Sequence, residues 1–290
     1  MDKYLITFRE IISLRGLTDH TIKSYTTYIK AYLDYLQQHL HKEPEDVNWQ
    51  ELREFLLYLK QQRNLSDRTI NHCISQLRFF TIYVLHKPWD SYQVPYRKFD
   101  TFLPYVPTRE EVWSFISPIS DIKLKTIVAL TYSAGIRVGE ASRLKYQDIN
   151  RSEMKIYISK GKSRSDRYAI LSENMLALLT EYWYLYHKPK GWLFSQPTNP
   201  EKPIDVQTLH RHFSRHREKY GFNPKITFHS FRHAFGSHLY ENGVDLMTIK
   251  TLLGHKSLDS TTIYVSLSPN AIAKAVSPFD LMGGEHIGRQ

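Results

Sequence analysis

The chain has one cysteine, Cys73, in 290 residues. That count excludes a disulfide framework and a thiolate zinc cluster, and a cytosolic setting is expected. No apolar run reaches the ~18 residues that a transmembrane helix requires, because charges interrupt each one. The opening residues, MDKYLITFREIISLRG, hold neither a charged-then-apolar leader nor a small-residue cleavage site, so no secretory signal is expected. No strand pattern appears before residue 100. The remainder is ordinary for a globular protein: 41% hydrophobic and 23% charged, which excludes wholesale disorder. The length fits one large domain or two ordinary ones.

Charge gives the first functional hint. The net formal charge is +10. Residues 1–100 carry 14 basic and 12 acidic groups, a balance of +2, and residues 101–290 carry 25 and 17, a balance of +8. A basic excess in the second part suits a polyanion, nucleic acid before membrane; a soluble protein of basic pI is the plainer reading.

The hydrophobic pattern divides the chain. Phe8, Ile11, Ile12 and Leu14, then Ile22, Tyr25, Ile29, Tyr32, Leu33 and Leu36, recur at helical spacing. Gly16 breaks the run, and Thr18 is the expected N-cap of the next helix. After Asn48, WQELREFLLYLKQQ is amphipathic, and a further helix is capped by Ser66 or Asp67. An all-helical unit over 1–98 is therefore predicted. Residues 88–107 hold four prolines and no helical period and read as a linker, with the domain boundaries set at a 99–107 linker and a second domain over 108–290. There REEVWSFI, Asp121–Leu144, Glu173–Tyr186, VQTLHRHFSRHREKY and Phe228–Leu253 read as helices, the last broken at Asn242-Gly243. MKIYIS and RYAIL alternate and predict a β-hairpin around KGKSRSD. The fold class is mostly α: an N-terminal helical bundle plus a mixed α+β domain with a small β-sheet.

Three segments carry chemistry: TYSAGIRVGEASRL with Arg137, HSFRHAFGSHLYENG with His229 and Arg232, and LLGHKSLDSTTIYVSL with His255 nine residues before Tyr264. In order and spacing they resemble the tyrosine recombinases, the phage-integrase and Xer type. The resemblance covers nearly the whole chain and implies a SAM-like core-binding domain followed by a catalytic domain. It marks Arg137, Lys160, His229, Arg232, His255 and Tyr264 as catalytic, with Tyr264 the nucleophile. Lys160 is matched through the KG pair of the hairpin turn, although Ser159 stands where a glycine is common and Lys162 and Arg164 are close by. Glu140 resembles an acidic position that orients Arg137.

The residue types suit phosphodiester cleavage through a covalent intermediate, which needs a nucleophile, a clamp on the phosphate oxygens and an acid for the leaving oxygen. A guanidinium keeps its charge and binds two phosphate oxygens with a planar fork. His229 and Arg232, three apart, share a helix face. His229 is a candidate base or oxyanion donor, and His255 a second donor. His229 and His233, four apart, have a spacing that zinc can use, but the usual glutamate is missing and Arg232 stands between them; no metal and no cofactor is expected. A phenol titrates near about 10, so the site must favour charge on Tyr264 during attack.

Lys162, Arg164, Arg211, Arg215, Arg217, Lys23, Arg68 and Arg78 are the expected DNA contacts, a solvated helix face being the alternative for the 206–220 segment. The resemblance further implies double-stranded DNA at inverted-repeat sites, a 3′-phosphotyrosyl link, a Holliday junction and a homo-tetramer. The tail, Ile272–Val276 and Phe279–Met282, is the segment expected to be exchanged between protomers. A cytoplasmic, nucleoid-associated protein without a membrane role is expected. Because the helical bundle starts almost at residue 1, a simple recombinase is favoured over a large phage integrase. Three other readings stay open: a type IB topoisomerase, a catalytically dead DNA-binding regulator and, more distantly, a helical-repeat interaction module.

Overall fold

The structure, a computed structural model, describes residues 2–159 and 166–267, with His20 described by its backbone alone. The chain forms two compact units, Met1–Thr101 and Phe102–Gln290.

The first unit holds α1 (Asp2–Leu14), α2 (Asp19–Tyr35), α3 (Trp49–Gln61) and α4 (Asp67–Tyr83). Each start is chemically specified. Thr18 Oγ1 accepts from the Thr21 amide and Ser66 Oγ from the Thr69 amide, so the Ser66 alternative is the one the chain uses. Asn48 and Glu51 form a reciprocal capping box, each side chain accepting from the other's backbone N–H. Phe8, Ile29, Leu36, Phe55, Cys73 and Phe80 form a dry centre. One feature departs from the uniform helical pattern: Leu36–Leu40 winds as a π-helix. The proline-bearing stretch that follows α4 is anchored rather than loose. Val94 is buried, and Asn71 brackets Arg97, donating to its carbonyl and accepting from its amide. Arg97 also pairs with Asp67.

The second unit begins with α5 (Arg109–Ile116) and α6 (Ile122–Ser133), followed by the one-turn α7 (Val138–Ala141). The expected continuous helix over 121–144 is thus interrupted at Ala134–Arg137. Gly135 adopts φ +61°, outside the helical range, and a Cβ there would lie 2.3 Å from the Phe235 ring, so glycine is the residue that fits where the helix is left. A three-stranded antiparallel sheet follows, β1 (Ile149–Asn150), β2 (Lys155–Ile158) and β3 (Arg167–Ile170), in the order β1-β2-β3. The predicted hairpin is β2–β3, with Ile158 opposite Arg167. After α8 (Glu173–Leu185) comes a small ribbon that the sequence pattern did not announce, β4 (Ser195–Gln196) against β5 (Asn199–Pro203). The unit continues with α9 (Val206–Lys219), α10 (Phe228–Glu241), α11 (Leu246–Leu253) and α12 (Asp259–Leu267). α10 packs on α6 and α12, with Phe115, Ile127, Leu130, Phe194 and Phe231 at the centre of the core. Among the described residues no helix is long and apolar enough to cross a membrane.

Candidate active site

The break after α6 puts Arg137 at the head of α7, where it is the N-cap residue. Its amide donates to Glu140 Oε2 at 2.9 Å, and its Nη1 donates to Oε1 at 2.8 Å. The Arg137 side chain keeps 25% of its surface exposed, against 3% for Glu140. Glu140 also receives a two-pronged contact from Arg167 of β3, Nη1 to Oε1 at 3.1 Å and Nη2 to Oε2 at 2.7 Å. Burial opposes a charged Glu140, but the hydrogen bonds and charge of Arg167, with help from Arg137, outweigh it and hold the carboxyl at about 2. Arg167 was not among the residues the sequence singled out. The available signal was its phase: in β3 Arg167 and Ala169 are buried while Tyr168 and Ile170 are exposed.

Arg232 lies on α10 and is 2% exposed. It donates to the Gly135 carbonyl and, at 2.6 Å, to the Leu253 carbonyl. Burial first, then the charge of Arg137, lowers its pKa to about 9, which leaves it cationic at neutral pH. The charges of Arg232 and Arg137 both act on Tyr264.

The turn after α11 supplies His255. Gly254 takes the left-handed conformation, φ +63°, and the four last carbonyls of α11 all find donors. Lys250 and Thr251 accept from the amides of His255 and Gly254, and Leu252 and Leu253 accept from Arg167 and Arg232. Helix C-termini leave such carbonyls open, and cations complement their partial negative charge. His255 Nδ1 lies 2.9 Å from Thr261 Oγ1. Burial, then Arg232 and Arg137, pulls His255 down to about 4, so its ring is neutral near pH 7 and serves as a hydrogen-bonding group.

Tyr264 on α12 is fully buried, and its hydroxyl has no hydrogen-bond partner. Its ring lies parallel to His255, with centroids 6.3 Å apart, and 6.1 Å from His233. Burial raises the phenol to about 12, while Arg232 and Arg137 pull against that rise. Five of the six expected catalytic residues therefore meet in one place: Arg137, His229, Arg232, His255 and Tyr264. His229 sits exposed on α10, its ring perpendicular to that of His233 with centroids 4.6 Å apart. Among the described residues no group of three His, Cys, Asp or Glu side chains is placed to hold a metal.

The sixth residue, Lys160, lies outside the described residues, as do Lys162, Arg164 and the expected exchange segments of the tail. Of the other expected DNA contacts, Lys23, Arg68, Arg78, Arg211 and Arg215 are exposed. Arg217 is not a free surface cation: its Nη1 donates to the Pro224 and Ile226 carbonyls. His216, on the same helix, is buried against Phe115, whose carbonyl its Nε2 meets at 2.9 Å.

The chain is similar to known proteins over most of its length. Residues 108–271 match the phage integrase family, and residues 5–91 match the phage integrase N-terminal SAM-like domain. A putative integrase/recombinase of Sinorhizobium fredii, y4qK, is 33% identical over 274 residues, 94% of this chain and 87% of that protein. Tyrosine recombinase XerA of Pyrococcus furiosus is 30% identical over 287 residues, 96% of each chain. Among solved structures, a lambda integrase (75–356) dimer bound to a COC′ core site superposes with a TM-score of 0.73 at 21% identity, covering 91% of this chain and 94% of that one. The XerH recombinase in a post-cleavage complex on a palindromic difH substrate gives 0.70 at 21% identity, covering 92% and 82%. These two show the same fold. With the family matched over both units, the chain belongs to the phage integrase family and is a tyrosine recombinase.

Proposed function

We propose that this protein cuts and rejoins duplex DNA at specific sites through a 3′-phosphotyrosyl intermediate. The observation that carries the reading is the placement of Tyr264: a phenol beside two guanidiniums and two histidines, with its hydroxyl unpartnered. A buried polar group without a partner is costly, and a phosphate oxygen or an accepting base would relieve it.

In the reaction, Arg137 and Arg232 bind the non-bridging oxygens of the scissile phosphate. The neutral His255 adds a hydrogen bond to the same oxygens, which strengthens as charge builds there in the transition state. His229, exposed at the rim, takes the phenolic proton as Tyr264 attacks phosphorus. The P–O5′ bond breaks, its electron pair stays on O5′, and Lys160 protonates that oxygen. The 3′-phosphotyrosyl ester conserves the bond energy, so the freed 5′-hydroxyl of a partner duplex attacks it without ATP. Tyr264 is enclosed in the free protein, so DNA docking must uncover it before attack.

The relatives carry the wider reading. The lambda integrase and XerH structures hold DNA sites, which supports double-stranded DNA as the substrate here. A homo-tetramer on two inverted-repeat sites, strand exchange through a Holliday junction and a tail passed between protomers complete the proposal. So do a core-binding domain over 1–98 and a catalytic domain over 108–290, in a cytoplasmic, nucleoid-associated protein.

The test is a covalent trap. Nicked duplexes from a random-sequence library are incubated with the protein, denatured in SDS, and the attached DNA is sequenced, with Tyr264→Phe alongside. Adducts from wild type alone, sharing a sequence motif, are expected. Adducts of near-random sequence would point to a topoisomerase, and DNA binding with no adduct would point to a regulator.

A further inference from the structure

Among the described residues of the second unit Arg167 is a heavily committed cation, and cleavage as described leaves it without a task. Its side chain is 7% exposed and pairs with that of Glu140, which is 3% exposed. It uses three donors on two segments: Nη1 and Nη2 on the two Glu140 oxygens, and Nε on the Leu252 carbonyl at 3.1 Å. Glu140 in turn uses the same two oxygens to fix the backbone and the Nη1 of Arg137. Leu252 is one residue before the carbonyl that holds Arg232 and three before His255. The glycine between Leu253 and His255 is closely approached, since a Cβ on Gly254 would come within 2.7 Å of Arg167 Cδ.

Arg137 is partly exposed and carries no other hydrogen bond that would set its direction than those to Glu140 among the described contacts. A lone carboxylate on a one-turn helix is a poor anchor, because its own rotamers are free. Two parallel N–H bonds from a buried fork remove that freedom. Burying an arginine on the inner phase of a strand also carries a desolvation cost that an apolar residue would avoid.

We propose that Arg167 is a positioning residue for strand cleavage: by locking Glu140 it aims Arg137 at the phosphate, and by holding Leu252 it fixes the same phosphate clamp to the turn that presents Arg232's anchor and His255. This inference rests on the cleavage reading above.

The test uses a nicked duplex recovered from the covalent trap, made with either a normal scissile phosphate or a methylphosphonate. The methylphosphonate lacks one non-bridging charge, so it demands less of the clamp. Arg167→Lys keeps the charge but cannot make the fork and the Leu252 bond together. It is expected to bind the duplex as wild type does and to form the Tyr264 adduct about 10- to 100-fold more slowly, the range typical when an outer group that orients a ligating residue is lost. On the methylphosphonate the deficit should shrink to within about fivefold, whereas general loosening of the fold would slow both substrates alike. Thermal melting establishes that the variant is folded. Should it not be, Glu140→Asp, which keeps the carboxylate and shortens its reach, carries the same expectation. Adduct formation by the folded variant within twofold of wild type, or an equal deficit on both substrates, overturns the inference. Failure of wild type to form any adduct overturns the cleavage reading itself, and the two failures are therefore distinct.

Discussion

The ring of Tyr264 rests on Gly236: a Cβ at that glycine would stand 2.5 Å from the tyrosine Cζ. The contact is steric, since α10 is helical there, so it is the missing methyl that makes room for the phenol. Gly236→Ala should push Tyr264 out of register with His255 and Arg232. We expect adduct formation to fall more than about tenfold, with an overpacking cost of about 1–3 kcal/mol in stability. Trapping and thermal melting on the same sample check both.

Tyr264→Phe separates chemistry from stability. It abolishes the adduct. It also removes a buried hydroxyl that has no partner, so the usual cost of leaving such a group unsatisfied, about 1–3 kcal/mol, disappears. The variant should melt at or above the wild-type temperature. A lower melting temperature would show that the hydroxyl is satisfied in the folded protein.

Three groups at the site contribute to the pH dependence of stability. His233, lowered by burial first and then by His229 and Arg232, sits at about 4, as does His255, against an ordinary 6.5. The folded protein therefore favours neutral rings. Their contribution is complete above pH 6.5 and is lost as pH falls to 4, by at most about 3 kcal/mol for each ring and less where solvent screens it. Glu140, held at about 2 against 4.5, adds a second loss as pH falls from about 4.5 toward 2. Without DNA, the melting temperature should be level above neutrality and decline steadily in acid. His233→Asn should reduce the first part of that decline, which thermal melts across pH 4–8 would register.

Helix α9 separates surface cations from a structural one. Arg211 and Arg215 are exposed, whereas Arg217 caps two carbonyls. Arg211→Ala and Arg215→Ala should each weaken DNA binding and reduce the slope of log K against log salt by about one. Arg217→Ala should leave that slope unchanged and lower the melting temperature instead. Binding titrations at several salt concentrations decide.

The identity of the acid is tested by the leaving group. A 5′-bridging sulfur departs without protonation, so Lys160→Ala should cleave such a substrate at close to the wild-type rate while failing on the oxygen ester. Rescue of Lys162→Ala instead would move the acid two residues along the sequence.

The linear sequence specified a great deal, for local reasons. The caps at Thr18 and Ser66, the periodicity of α2 to α4 and the alternation of β2 and β3 depend on neighbours within a few residues, and all were legible. So was the set of side chains that the fold brings together, because Arg137, His229, Arg232, His255 and Tyr264 stand in ordered motifs. Tertiary structure alone decided what those residues touch. That no side chain fits at Gly135, where the helix ends, depends on Phe235, a hundred residues away, which a Cβ there would meet. Glu140 could be read as a partner for Arg137 three positions before it, but its second partner, Arg167, comes from a strand 27 residues on. The basic run of α9 reads as one charged face, yet His216 and Arg217 turn toward carbonyls of Phe115, Pro224 and Ile226. The burial of Tyr264 was equally invisible, since it results from α10, the α11 turn and α12 closing around one phenol. A motif fixes which side chains are present; their charge states, partners and exposure arise from desolvation and from contacts between segments that are far apart in the chain.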